Sequence, residues 1–201
     1  MALKLKRNAQ LPKLVFLFLQ IPVTQTVEAA HAAQLSGIAV EAERTFIVEV
    51  MGRNCGNIAL QAGLACGAES ILVPEIAYDL KEVCDKLKRG HQRGKKHSII
   101  LVAEGAGSAY KIGEDIRICS GFETRITVLG HIQRGGNPSA LDAVIAGAMG
   151  GKAIEVILAQ ETNKMTAYVN QEVISRPLEA AYGERRPFNK DLYDLANELS
   201  I

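Results

Sequence analysis

The stretch RITVLGHIQRGGNPSALD, residues 125–142, joins a β-branched run to a basic, glycine-rich turn and then to the start of a helix. Residues 126–129 have the composition of a buried strand, and the glycines of the turn allow backbone to approach a ligand closely. Ser139 is a good helix N-cap. His131 and Arg134 then stand at the carboxyl end of a strand, where open α/β sheets bind ligands. The stretch predicts an anion site; the alternative is a βα turn whose arginine is merely solvated.

A second segment upstream has the same design. Residues 44–50, RTFIVEV, read as a strand, residues 51–57, MGRNCGN, as a turn, and residues 58–67 as a helical run. Two glycines and an arginine at a strand end again indicate an anion held by a guanidinium group and backbone amides.

Strands and helices alternate along the rest of the chain, which predicts βαβ units, right-handed crossovers and a mostly parallel sheet. The fold class is therefore α/β with a mostly parallel sheet. Predicted strands cover residues 70–73, 98–102, 125–129 and 165–169, and predicted helices cover residues 24–35, 58–66, 80–89, about 110–119, 139–160 and 191–199.

Composition restricts the function classes. With 201 residues and 48% hydrophobic side chains the chain can bury a sizeable core. A formal net charge of +1 gives no reason to expect nucleic acid or an anionic membrane as a partner. Four cysteines with no CxxC pair read as reduced thiols of a cytosolic protein.

The first 23 residues are atypical of the rest. Lysines and an arginine precede the apolar run LVFLFLQIPV, residues 14–23, which has the charged start and short apolar core of a signal peptide but is too short to span a bilayer. Export, a buried strand, and a truncated or altered start remain open as alternatives.

Both turn segments resemble signatures of the bacterial 6-phosphofructokinase family. The matching residues are VEVMGRNCG, 48–56, and TRITVLGHIQRGGNP, 124–138, and Glu104 and residues 93–97 lie between them at family-like spacing. The resemblance is to the C-terminal half of that family, and it implies a Rossmann-like domain with a parallel sheet in three layers. It implies a cytoplasmic, glycolytic kinase that transfers a phosphoryl group from ATP to the 1-hydroxyl of fructose 6-phosphate, with Mg²⁺, as an allosteric homotetramer.

The resemblance also implies a sugar-phosphate site. Arg134 and His131 suit the 6-phosphate, because a planar cation and an imidazole supply charge-assisted donors. Glu104 suits the sugar hydroxyls. Arg44 and Arg125 each stand at the first position of a predicted strand, and in the family these positions serve the neighbouring subunit's substrate. The implied substrate-binding residues are Arg44, Met51, Gly52, Arg53, Glu104, Arg125, His131 and Arg134.

A second anion site is implied for an effector, either a nucleotide diphosphate or phosphoenolpyruvate. Its acidic residue, Glu69, would meet the effector's Mg²⁺. The alternative is an ordinary basic turn that favours a helix C-terminus. The implied residues are Gly67, Ala68, Glu69, Arg93, Lys95, Lys96 and His97.

The family's catalytic segments are absent from this sequence. Its glycine-rich N-terminal turn, its Gly-Gly-Asp segment and its Thr-Ile-Asp-Asn-Asp segment have no counterpart here, so no catalytic residue is assigned and the chain alone is predicted to be inactive. The implied division is a segment 1–23, a substrate-side domain 24–132, a segment 133–183 that returns to the nucleotide-side domain, and a tail 184–201 that rejoins the first domain. On this division the nucleotide-side domain is expected to be largely absent from the chain.

Two other functions remain open. One is a non-catalytic, sugar-phosphate-binding or regulatory subunit that pairs with a complete partner, and the other is a generic α/β phosphate-binding domain. The phosphoryl donor is also open between ATP and pyrophosphate, although residues 54–56 resemble the ATP-dependent bacterial branch.

Overall fold

A computed structural model describes residues 44–134, 137–183 and 187–200. Contacts divide the described chain into two compact units: residues 44–134, 137 and 187–200 belong to one, and residues 138–183 belong to the other. The predicted helix 24–35 and the apolar run 14–23 lie outside the described residues.

Strands and helices alternate through the larger unit, as the sequence predicts. The elements of the larger unit are β1 Arg44–Val50, α1 Asn57–Cys66, β2 Ser70–Leu72, α2 Leu80–Gln92, β3 His97–Ala103, α3 Ala109–Ser120, β4 Glu123–Val128, a 3-10 turn Gly130–Arg134 and, at the end of the chain, α6 Lys190–Leu199. Those of the smaller unit are α4 Ala140–Leu158, β5 Lys164–Val169, β6 Glu172–Pro177 and α5 Ala180–Gly183. The first four strands form one sheet in the order β2-β3-β1-β4, and every pair is parallel. The predicted α/β class with a parallel sheet is confirmed.

Each face of this sheet is covered by helices. Val48 and Leu101 pack with residues of α1 and α6, including Leu60. On the other face Ile47 and Ile100 pack with α2 and α3. Because both faces of β1 are covered, its sequence is nearly continuously apolar and not alternating.

β4 differs from its prediction in two ways. It begins at Glu123, so Arg125 is its third residue and not its first. It is also only half-buried, with Val128 39% exposed, and among the strands of the described residues it lies at the edge of the sheet and pairs with β1 alone. Composition alone does not distinguish an edge strand from a central one.

The smaller unit contains α4 and an antiparallel hairpin of β5 and β6. Ser139 caps α4 as predicted, and Asp142 completes a capping box by bonding back to the Ser139 N–H at 2.9 Å. β6 was not predicted. Its hairpin turn, Asn170-Gln171, has φ values of +50° and +66°, and a glutamine where glycine is usual removes the ordinary sequence signal for such a turn.

The cysteine prediction is wrong for one pair. The structure joins Cys84 on α2 to Cys119 on α3 as a disulfide, and the two Cα atoms are 6.3 Å apart. Cys55 and Cys66 are free, as predicted. The paired cysteines are 35 residues apart, so only the packing of the two helices reveals that they meet. Of the helices in the described ranges, none combines the length and apolar character needed to cross a membrane.

Candidate functional site

Three neighbouring parallel strands, β1, β3 and β4, end together, and predicted substrate-binding residues follow each of the three. Val50 of β1 lies opposite Ala103 of β3, and Glu49 lies opposite Val128 of β4. The residues that come next are therefore brought to one edge of the sheet: the turn 51–53, Glu104, and the turn 130–134.

The turn 51–53 needs a glycine within it, at Gly52, and a second glycine packed against it, at Gly105. Gly52 has φ +153°, and a Cβ placed on it would lie 2.2 Å from the carbonyl oxygen of Cys55. A Cβ on Gly105 would lie 1.8 Å from the carbonyl oxygen of Arg53. Arg53 itself has φ +49°, a conformation that costs energy in a non-glycine residue and is found at binding sites.

Glu104 holds this turn in place. Its Oε1 accepts the backbone N–H of Gly52 at 3.1 Å and that of Arg53 at 2.6 Å. Its own N–H donates to the carbonyl of Val50 at 2.9 Å, which continues the ladder between β1 and β3. The carboxylate predicted to meet sugar hydroxyls thus also fixes the loop that carries Arg53.

The basic side chains at this edge are open to solvent. Arg53, His131 and Arg134 are all exposed, as is Glu104. Guanidinium and imidazole groups on a glycine-containing edge can donate charge-assisted hydrogen bonds to a phosphate. This edge is therefore chemically suited to a phosphorylated ligand.

Arg44 and Arg125 lie toward the opposite, amino-terminal edge of the sheet. Both bind Glu123: Arg44 Nε is 3.1 Å from its Oε2, and Arg125 Nη2 is 2.7 Å from its Oε1. The structure brings these two arginines together around one carboxylate, and it does not bring them to the edge that carries Arg53 and His131.

Of the predicted effector residues, Lys95 and Arg93 lie with the buried carboxylate of Glu69. Glu69 is 4% exposed; its Oε1 is 2.5 Å from Lys95 Nζ and its Oε2 accepts the Ile99 N–H at 2.6 Å. Gly67 is the left-handed C-cap of α1, with φ +68°, and Ala68 follows it with an N–H bonded to the Gly63 carbonyl.

A cavity of about 210 Å³ opens beside Glu69. Its lining residues are Glu69, Lys86, Arg89, Gly90, Arg93, Lys95, Asn197 and Ser200. Lys86 donates to Asn197 Oδ1 at 2.8 Å, and burial, with Arg89 nearby, lowers the pKa of Lys86. The predicted Lys96 and His97 do not line this cavity. The α6 residues were not predicted, because they are about a hundred positions away from the rest along the chain.

The described residues do not by themselves fit a magnesium ion. Within the described ranges there is no group of three or more His, Cys, Asp or Glu side chains placed to hold a metal. Both oxygens of Glu69 already have nitrogen donors, so binding of an ion at Oε1 would have to displace Lys95. The assignment of Glu69 to Mg²⁺ stays a prediction.

Three polar side chains of this region were missed by sequence reasoning. Gln133 is 1% exposed and its Oε1 accepts the Met51 N–H at 2.7 Å. Glu49 Oε2 accepts the N–H of Ala109 at the start of α3, and Glu75 accepts the N–H of Gly56 before α1. Each bond joins backbone and side chain across at least nineteen residues, and no spacing rule detects such pairs.

Comparison with known proteins identifies relatives of this chain. The family model described as Phosphofructokinase matches residues 22–157. A protein named ATP-dependent 6-phosphofructokinase from Halothermothrix orenii is 51% identical over 171 residues, which cover 79% of this chain and 52% of that protein. One of the same name from Bacillus mycoides is 50% identical over 159 residues, covering 79% and 50%. The chain spans about half the length of the curated relatives it matches.

Solved structures give the same result. A Pichia pastoris phosphofructokinase in the T-state matches with a TM-score of 0.71 and 31% identity, over 87% of this chain and 20% of that one. A pyrophosphate-dependent phosphofructokinase from Marinobacter aquaeolei matches with a TM-score of 0.72 and 22% identity, over 87% and 54%. At that identity the second likeness supports the fold only.

Proposed function

The chain belongs to the phosphofructokinase family, and we propose that it forms the sugar-phosphate-binding part of an ATP-dependent 6-phosphofructokinase. The observation that carries the proposal is the convergence of the Met51–Arg53 turn, Glu104 and the Gly130–Arg134 turn at one sheet edge. The relatives are named ATP-dependent 6-phosphofructokinases, which supports fructose 6-phosphate as the sugar and ATP as the donor.

The roles follow from side-chain chemistry. His131 and Arg134 donate to the 6-phosphate, and Arg53 adds a second guanidinium at the same edge. Glu104 fixes the turn through Oε1 and offers its carboxylate to sugar hydroxyls. Met51 and Gly52 form the part of the substrate-facing turn that precedes Arg53, and their backbone lies beside the substrate in this proposal.

Arg44 and Arg125 serve a different copy of the protein in this proposal. Their edge of the sheet is opposite to the substrate-facing turns, and Glu123 holds both guanidinium groups together. They would reach the sugar phosphate of a neighbouring subunit, so the complete site requires a homo-oligomer, a tetramer in the family.

We place the effector at the cavity beside Glu69. Arg93 and Lys95 line it, with Lys86 and Arg89 as further cations, and this charge suits a nucleotide diphosphate or phosphoenolpyruvate. Lys96 and His97, where β3 begins, would add positive charge near the effector without lining the cavity. No step of the effector's binding is assigned to a metal ion.

The transfer itself is proposed to need groups beyond this chain. No residue of the sequence matches the family's metal-holding acid or its base. In the full proposal residues 133–183 return to the nucleotide-side domain, residues 184–201 rejoin the substrate side, and the assembled enzyme acts in the cytoplasm.

Calorimetric titration of the chain with fructose 6-phosphate tests the binding proposal. We expect measurable binding that Arg134→Ala abolishes, because hydrogen bonds to charged groups contribute about 1.5–3 kcal/mol each. Arg117→Ala is the matched control, since Arg117 is an exposed arginine of α3 paired with Glu114 at 2.7 Å. Equal binding by wild type and Arg134→Ala would contradict the proposed site. A coupled assay on the same sample should show no turnover.

A further inference from the structure

Gln133 is an unusual member of its turn. It is 1% exposed, whereas Ile132 beside it is 71% exposed. A primary amide costs free energy when it is taken out of water, and an aliphatic side chain would fill the same space without that cost. Its orientation therefore calls for an explanation in terms of the bonds it makes.

The bond to Met51 replaces a missing step of the β-ladder. The Leu129 N–H donates to the Glu49 carbonyl at 3.1 Å, as in a regular parallel pair. A parallel ladder would continue with the Met51 N–H donating to the Leu129 carbonyl. That carbonyl instead accepts the Ile132 N–H at 3.1 Å inside the 3-10 turn. Gln133 Oε1 takes its place, at 2.7 Å from the Met51 nitrogen.

The two turns joined in this way carry the exposed basic side chains of the candidate site. Arg53 is two residues after Met51, and His131 and Arg134 flank Gln133 in the 3-10 turn. On its other side the Arg53 turn is held by Glu104. The Gln133 bond thus links the Gly130–Arg134 turn directly to the Met51–Arg53 turn.

We propose that Gln133 is a positioning residue that keeps the Arg53 turn in register with the His131–Arg134 turn, so that both act on one phosphorylated ligand. It touches no ligand itself. This inference rests on the proposed function for the identity of the ligand, but the coupling of the turns is a property of the chain alone.

The test uses the full chain with two substitutions of different severity. Gln133→Met keeps the side-chain length and removes the hydrogen-bond acceptor. Gln133→Asn keeps the amide but shortens the side chain by one methylene group, and it is the test variant if Gln133→Met does not fold. Ser120→Ala is the control, because it also removes a side-chain acceptor of a backbone N–H, that of Phe122 at 3.2 Å, near the opposite edge of the sheet. The measurements are Met51 amide exchange by NMR, the Kd for fructose 6-phosphate, and the melting temperature.

We expect faster Met51 exchange and a Kd raised about three- to tenfold in either Gln133 variant, the range that one neutral hydrogen bond supports. Ser120→Ala should leave the Kd within about twofold of wild type, even if it lowers the melting temperature as much as the Gln133 variants do. Unchanged Met51 exchange, or faster exchange with an unchanged Kd, would overturn the proposal. If wild type binds no fructose 6-phosphate, the proposed function fails, and Met51 exchange still decides whether Gln133 couples the turns.

Discussion

At the scale of single residues, carboxylates and amides of this chain are used to organise backbone. Glu104 accepts two N–H groups of the Arg53 turn, and Gln133 accepts a third. Glu69 does the same for Ile99 while it pairs with Lys95. Such acceptors matter because a buried N–H without a partner costs about 1–3 kcal/mol.

Glu69 and Lys95 should therefore contribute unequally to stability. Glu69→Ala removes the acceptor of the Ile99 N–H, and we expect it to lower the free energy of unfolding by about 2–3 kcal/mol. Lys95→Met should cost less than about 1 kcal/mol, because the Lys95 side chain is 38% exposed and water in the adjacent cavity can replace it. Urea denaturation of both variants measures this difference. If Lys95→Met lowered the free energy of unfolding as much as Glu69→Ala does, the ion pair and not the bond to Ile99 would be the main source of stability.

At the scale of elements, close packing of helices on the sheet depends on particular glycines. A Cβ on Gly113 of α3 would lie 2.7 Å from Cδ1 of Ile126 and 3.2 Å from Cδ1 of Ile47. Ile47 is fully buried and cannot move without disturbing the core. Gly90 of α2 differs, because its nearest neighbour would be Lys95 Cδ at 3.6 Å, an ordinary contact.

Alanine at these two helical glycines should have opposite effects. Gly90→Ala should be neutral or stabilising by up to about 1 kcal/mol, since alanine favours the helix. Gly113→Ala should destabilise by about 1–3 kcal/mol, because overpacking exceeds the gain in helix propensity. Thermal unfolding of the two variants in parallel checks this. A higher melting temperature for Gly113→Ala would mean that α3 stands further from the sheet than the structure places it.

At the scale of the whole molecule, α4 exposes apolar surface. One stripe of the helix, containing Ile145 and Met149, is buried in the smaller unit. Other large apolar residues of α4 are exposed: Leu141 49%, Val144 69%, Ile154 54% and Leu158 63%. Large apolar side chains left exposed on one helix are typical of an interaction site or of a tendency to associate.

We expect the chain to self-associate through this surface at raised concentration. Each aliphatic side chain that leaves water contributes about 1.5–3 kcal/mol. The double variant Val144→Glu and Ile154→Lys should shift the sedimentation profile toward monomer, whereas Ile118→Glu, on the 72% exposed Ile118 of α3, should not. A wild-type chain that stays monomeric at every concentration in analytical ultracentrifugation would contradict this assignment.

Much of the fold and the site could be predicted from the sequence alone. The apolar run of β1, the glycine-containing turns and the capping residue Ser139 each act over a few positions, so local chemistry determines them. The parallel sheet follows from the alternation of strands and helices. The identities of Arg53, His131 and Arg134 as candidates follow from basic residues at strand ends.

The tertiary structure decided what depends on distant residues. The position of β4 at the sheet edge depends on strand order. Three contacts join positions at least 26 residues apart: Gln133 with Met51, Glu69 with Lys95, and Cys84 with Cys119. Local propensity carries no information on such pairs, because they form only when packing of the whole sheet and its helices fixes the distance between them.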